Sequence, residues 1–166
     1  GYNVLIDAVG ALPADVQVHL VLVGDAIDNG ELQAQVSRSS HPERIHFTGY
    51  RNDAPAIAAA SNVFVLPSTA REGLPRAVIE AMAYGVAPIV TSVGGMPELV
   101  EKGVSGLVVP PEDAPALGAA IEQLYRNPEL TKQLGQAAKA RIENNFHTSQ
   151  TVRETSELYF ALSGKH

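Results

Sequence analysis

Two glutamates in one stretch of this chain are placed to do chemistry. Residues 67–85 read Pro-Ser-Thr-Ala-Arg-Glu-Gly-Leu-Pro-Arg-Ala-Val-Ile-Glu-Ala-Met-Ala-Tyr-Gly, with Glu72 and Glu80 separated by seven residues. The stretch leaves an apolar run, crosses small residues and enters a helical pattern from Pro75 to Tyr84, closed by Gly85. The first amides of such a helix have no intrahelical partner, and its dipole favours an anion such as phosphate. Gly73 lets a ligand come close to the backbone. If the helix covers most of the stretch, the two carboxylates lie roughly 10–12 Å apart along its axis. A sugar and a ribose joined by a diphosphate span a comparable distance, and a carboxylate is a good acceptor for vicinal hydroxyls. One loop and one helix could therefore hold a nucleotide sugar at both ends.

Plainer roles are open to the same carboxylates. Glu72 could complement the helix dipole, worth about 0.3–1 kcal/mol. Glu80 could pair with Arg76 four residues earlier, worth a few tenths of a kcal/mol. Against that, Glu80 lies between Val78-Ile79 and Ala81-Met82, so its surroundings read as buried, and a buried carboxylate needs a partner.

The remaining motif candidates carry less. Residues 24–30 do not match G-x-G-x-x-G, and no G-x-x-x-x-G-K-[ST] occurs, so neither the dinucleotide fingerprint nor the P-loop is present. The five histidines have no metal-ligand spacing; His41 and His46 read as solvated loop residues. Asp25 and Asp28 read as turn residues. No metal site is expected.

The elements that must position the glutamates alternate. Apolar runs at 18–23, 45–48, 63–66, 87–91 and 107–109 end in Gly or Pro and are too short for helices. Such runs predict strands buried on both faces, as in a parallel sheet. Helical patterns lie between them: one around Leu5, Ile6 and Val9, one around Leu32 and Val36, and others at 54–60, 75–84 and 97–102. Three more follow at about 112–126, 128–144 and 148–162. Strand and helix in this order predict an α/β fold: an open parallel sheet in a Rossmann-like three-layer α/β/α arrangement, with a helical C-terminal part. In such sheets ligands bind at the carboxyl ends of the strands, where Glu72 falls. The chain opens on a helical pattern with no strand before it and no initiator Met. We therefore read residues 1–166 as a single domain whose first strand is missing, cut from a longer protein.

Composition narrows the function classes. The 166 residues carry 12 Lys and Arg against 18 Asp and Glu, a net charge of −6, which disfavours binding to nucleic acid or to anionic membrane. There is no cysteine, which excludes disulfides and thiolate metal sites. No apolar run approaches the ~18 residues of a membrane span.

The residues from Glu72 to Gly85 resemble the E-x7-E motif of retaining glycosyltransferases of the GT-B fold, in the large group-1 family. Gly94-Gly95-Met96-Pro97-Glu98 is similar to that family's G-G-x-P-E segment, and Gly103 to Val109 to its G-x-x-G-L-L-V segment. Val21-x-Val23-Gly24-Asp25, Phe47-Thr48-Gly49 and Val63 to Ser68 resemble its successive strand ends. The likeness covers nearly the whole chain and corresponds to the C-terminal, donor-binding half of such an enzyme.

The resemblance implies roles for particular residues. Glu80 accepts from the ribose hydroxyls. Glu72, the expected catalytic residue, faces the hydroxyls of the transferred sugar. Backbone amides of Gly73, Leu74 and Arg76 approach sugar and phosphates, while Gly49, Tyr50 and Arg51 lie by the base. Fixed donors at the phosphates would stabilise charge on the departing diphosphate. No cofactor is implied, the nucleotide sugar being a substrate. Two departures stand out. The family's basic pair, ahead of the first helix, would fall before Gly1, leaving Arg71, Arg76 or Lys102 as cations near the phosphates. The N-terminal acceptor domain is absent as well, and the last helix resembles the segment that crosses back to it, with Val152, Leu158, Tyr159 and Leu162 exposed.

The implied activity is hexose transfer from a nucleotide diphosphate sugar to a glycan or lipid-linked acceptor. The full-length enzyme is expected in the cytoplasm, touching membrane only through the missing half. The 166 residues alone are expected to be inactive. Two alternatives are a non-catalytic nucleotide-sugar-binding module and a sugar-nucleotide epimerase of the same architecture, the latter lacking a placed histidine.

Overall fold

A computed structural model describes residues 1–25, 30–70, 72–146 and 148–163. Strands and helices alternate through β5, and three helices complete the chain. Helix α1 (Tyr2–Gly10) comes first, then β1 (Leu20–Leu22), α2 (Gly30–Ser37), a single 3-10 turn at Pro42–Arg44 and β2 (Ile45–Phe47). Helix α3 (Ala54–Ala60), β3 (Val63–Leu66), α4 (Arg76–Ala83), β4 (Ala87–Thr91), the one-turn α5 (Met96–Leu99) and β5 (Leu107–Val109) follow. The chain continues through α6 (Ala114–Arg126), α7 (Pro128–Asn145) and α8 (Thr148–Ser163). Every strand and helix predicted from periodicity is present, most within two residues of its expected ends.

Among the described residues all strand pairs are parallel. Strand β1 pairs with β2, and β4 lies between β3 and β5. Among the described residues no ladder joins β1 to β3, so the sheet is carried in two pieces over a shared core. The period-two alternation of side chains builds the layers. In β3, β4 and β5, Val63, Val65, Ala87, Ile89, Leu107 and Val109 pack with α1 and α6 residues such as Ile6 and Leu117. Phe64, Leu66, Val90 and Val108 face the opposite way, onto Val78 and Met82 of α4 and Ala138 and Ile142 of α7. The result is an α/β/α sandwich.

One expectation needs correction. Among the described strands only β4 is buried at every position. On β1, Val21 is 43% exposed; it is in register with His46, which is also exposed. Leu20, Leu22, Ile45 and Phe47 point into the core instead. The two-stranded piece thus has one packed face and one wet face. His46 accordingly lies on a strand, not in a loop, with Nε2 at 3.0 Å from Nδ1 of His19 and the rings stacked.

Candidate functional site

Strand β3 ends at Leu66, before Pro67, whose missing N–H cannot extend a ladder, and the chain turns into the segment that carries Glu72. Ser68 Oγ donates to Glu72 Oε1 at 3.1 Å. The main chain of Glu72 is held from the next crossover, where the Gly95 N–H donates to its carbonyl at 3.0 Å. Gly94 passes so close that a Cβ there would lie 1.8 Å from the Glu72 carbonyl oxygen. Its φ of +54° also belongs to the left-handed region that glycine enters at least cost. The G-G pair is therefore the seat of the Glu72 loop.

Beyond Glu72 the helix starts within one residue of the Pro75 that opens its pattern. Pro75 is the extended N-cap and α4 runs only from Arg76 to Ala83. Glu72 lies in the loop ahead of the first turn, so a separation measured along a helix axis does not describe the two glutamates. Val78, Ala81 and Met82 turn inward, which leaves Glu80 on the outer side of α4. Its side chain is 37% exposed and pairs at 3.1 Å with Nη2 of Arg76, which is 90% exposed. Glu80 is less crowded than its neighbours in sequence implied, because a helix turns successive residues to different faces.

A cleft of about 280 Å³ opens beside Glu72, between Gly1 and Tyr2 at the start of α1 and residues 66–70 at and beyond the end of β3. Among the described residues Glu72 lines it, while Gly73, Leu74, Arg76 and Glu80 do not. Gly73 borders open space, since a Cβ there would meet nothing within 4 Å, and Leu74 is 48% exposed.

Gly49, Tyr50 and Arg51 leave the carboxyl end of β2. The Gly49 carbonyl accepts from the Gly24 N–H at 3.0 Å, tying the ends of β1 and β2. Tyr50 is exposed. Arg51 makes a bidentate bond to Asp53 through Nε and Nη2, at 2.8 and 2.7 Å. That pairing holds the guanidinium above its ordinary range and the Asp53 carboxyl below its own, through the hydrogen bonds first and the opposite charges after.

Lys102 is far from this edge. It precedes β5 and bridges to Gly106, which packs against Pro88 near the start of β4. It therefore sits at the amino ends of the strands, opposite Glu72. Arg71 and Asp28 lie outside the described residues. Among the described residues no group of three or more metal-ligating side chains converges, and no helix is long and apolar enough to cross a membrane.

Sequence reasoning missed two residues here, Ser68 and Thr91. The buried Thr91 hydroxyl donates to the Ser68 carbonyl at 2.7 Å. The signal was present as the one hydroxyl in the apolar run 87–91, a polar group that burial makes costly unless bonded.

With this geometry in place, comparison with known proteins identifies the family. The sequence model of the Glycosyl transferases group 1 family matches residues 1–141. N-acetyl-alpha-D-glucosaminyl L-malate synthase of Bacillus anthracis is 26% identical over 156 residues, covering 94% of this chain and 41% of that protein. Anabaena Alr3699/HepE, solved in complex with UDP-glucose, superposes with a TM-score of 0.87 at 31% identity over 97% of this chain and 45% of that one. The C-terminal domain of a group 1 glycosyl transferase, LpcC of Francisella tularensis, shares the fold at a TM-score of 0.80 and 23% identity, over 89% of this chain and 80% of that one. The chain thus spans less than half the length of the malate synthase and of HepE.

Proposed function

The chain belongs to the group 1 glycosyl transferases, and from that membership we propose that it binds the nucleotide diphosphate sugar of a retaining enzyme. The enzyme would transfer the donor's hexose to a glycan or lipid-linked acceptor. The observation that carries this reading is Glu72, a carboxylate fixed by its side chain and its main chain at the mouth of a cleft at the carboxyl end of β3. The 31% identical Anabaena structure holds UDP-glucose, a ligand of the proposed chemistry.

In this reading Glu72 accepts from hydroxyls of the transferred sugar. Glu80 exchanges its exposed ion pair with Arg76, an interaction of small worth, for the vicinal hydroxyls of the ribose. The amides of Gly73, Leu74 and Arg76 face sugar and phosphates, and Tyr50 lies by the base with Gly49 and Arg51. Prearranged amides would stabilise negative charge as the diphosphate departs, with no metal in the step.

The same proposal includes a partner domain upstream in the same polypeptide. What supports an additional strand is the break between β1 and β3, where the described residues form no ladder. A parallel strand leading into α1 would end beside Pro67, which Gly1 already touches. What supports a covering domain is α8, whose Val152, Leu158, Tyr159, Phe160 and Leu162 are all more than half exposed. Acceptor choice would reside in that domain, and residues 1–166 alone would transfer no sugar.

Calorimetric titration of UDP, GDP and ADP with their glucose conjugates, into the wild type and into Glu80→Ala, tests the reading. One nucleotide should bind, and Glu80→Ala should weaken it about tenfold or more. Unchanged affinity in Glu80→Ala would show the ribose assignment to be wrong, and measurable transfer by these residues alone would remove the need for the upstream domain.

A further inference from the structure

We propose that Thr91 and Ser68 are positioning residues that aim Glu72, through a relay of two hydroxyl-donated bonds joined by the Ser68 main chain, from the interior of the sheet to the cleft. The proposal rests on the reading that Glu72 faces the transferred sugar.

The relay begins with a polar group where packing alone would not place one. Thr91 ends β4, the strand buried at every position, and is itself 2% exposed. Valine has nearly the same shape and would fill that space, whereas a buried hydroxyl is costly without a partner. The Thr91 hydroxyl spends its proton on the Ser68 carbonyl at 2.7 Å. That bond ties the segment leaving β3 to the neighbouring strand, one residue beyond the point where the β3–β4 pairing ends at Leu66 and Val90.

The relay continues through the next hydroxyl. Ser68, with its carbonyl held, directs Oγ–H to Glu72 Oε1 at 3.1 Å. A free glutamate side chain samples several rotamers and must give them up on binding. Here one oxygen is held from below by Ser68, and the Glu72 carbonyl is held from the other side by the Gly95 N–H. Among the described residues Oε2 accepts no hydrogen bond, and Glu72 lines the cleft. The carboxylate therefore meets a ligand through Oε2, in an orientation set before binding. Positioning of this kind lowers the cost of binding without a new contact to the ligand.

The test compares Ser68→Ala and Thr91→Val, which break the relay, with Ser68→Thr and Thr91→Ser, which keep its hydroxyls, beside Glu72→Gln. Two readouts are taken. Titration of UDP-glucose and UDP gives the ratio of their affinities, the part of binding due to the sugar. Three-bond couplings across χ1 of Glu72, measured without ligand by NMR, report whether its side chain keeps one rotamer. We expect Ser68→Ala and Thr91→Val to lower the affinity ratio about five- to tenfold and to average the couplings, and the conservative pair to restore both. If the breaking variants keep the ratio that Glu72→Gln loses, the relay is wrong and the site reading stands. If Glu72→Gln keeps the ratio as well, the site reading itself falls. Should the wild type bind neither probe, the couplings still decide the relay, and unchanged couplings in Ser68→Ala overturn it. Thermal melts identify a breaking variant that fails to fold, and the other then carries the test.

Discussion

The Gly95 N–H donates to the Glu72 carbonyl at 3.0 Å, so the turn after β4 supports the carboxylate that follows β3. The adjoining Gly94 completes the contact, since a Cβ there would overlap the Glu72 carbonyl oxygen at 1.8 Å. Gly94→Ala should therefore cost about 2–4 kcal/mol, from left-handed strain together with the overlap. Urea denaturation checks the stability. Weaker UDP-glucose binding by the folded variant would show that the Glu72 loop has moved.

The exposed Arg76–Glu80 pair makes a contrasting prediction. Arg76→Ala should change stability by less than about 0.5 kcal/mol. It should also tighten nucleotide binding about twofold, because Glu80 no longer gives up a partner. Glu80→Ala should weaken binding. Parallel calorimetry distinguishes the two variants, and equal losses in both would mean that the intact pair, not the free carboxylate, meets the ligand.

Acid should act on the loop after β2 through Asp53. Its pairing with Arg51 depresses the folded-state pKa. The small stability it contributes is therefore present above the unfolded value of about 3.9 and is lost as pH falls through the folded value. A carbon-detected titration should give Asp53 a midpoint below the ordinary aspartate range. In Arg51→Ala that midpoint should rise towards the ordinary value; an unmoved midpoint would assign the shift to another group.

Arg141 joins α7 to the end of α5. Its Nε and Nη2 donate to the carbonyls of Leu99 and Glu98 at 2.9 and 2.7 Å, and Nη1 lies 3.3 Å from Glu101 Oε2. Arg141→Ala should destabilise the fold by about 2–3 kcal/mol, leaving those carbonyls without this donor. Arg141→Lys should recover less than half of the loss, since one ammonium cannot reproduce the planar fork. Thermal unfolding followed by circular dichroism measures both.

How far this chain could be read before folding depended on the range of the interaction concerned. The strands at 63–66 and 87–91, the Ala54–Ala60 helix and the last three helices are legible because hydrophobic period, Pro and Gly placement and helix caps act within a few residues. The same local rules located Glu72 at a strand's carboxyl end and suggested the Arg76–Glu80 pair, which lies within one helical turn. Its burial was misjudged because identity alone does not say which face of α4 meets Met82's neighbours.

The chain's own residues thus determined the order of elements, the α/β class and the two candidate carboxylates. Only the tertiary structure decided what holds Glu72 and where Lys102 stands. Lys102 went to the opposite end of the strands, while Thr91, Ser68 and the Gly94-Gly95 pair converged on Glu72 from two strand ends. Those contacts join residues far apart in the chain through parallel pairing and close backbone approach. They exist only once β3 and β4 lie side by side.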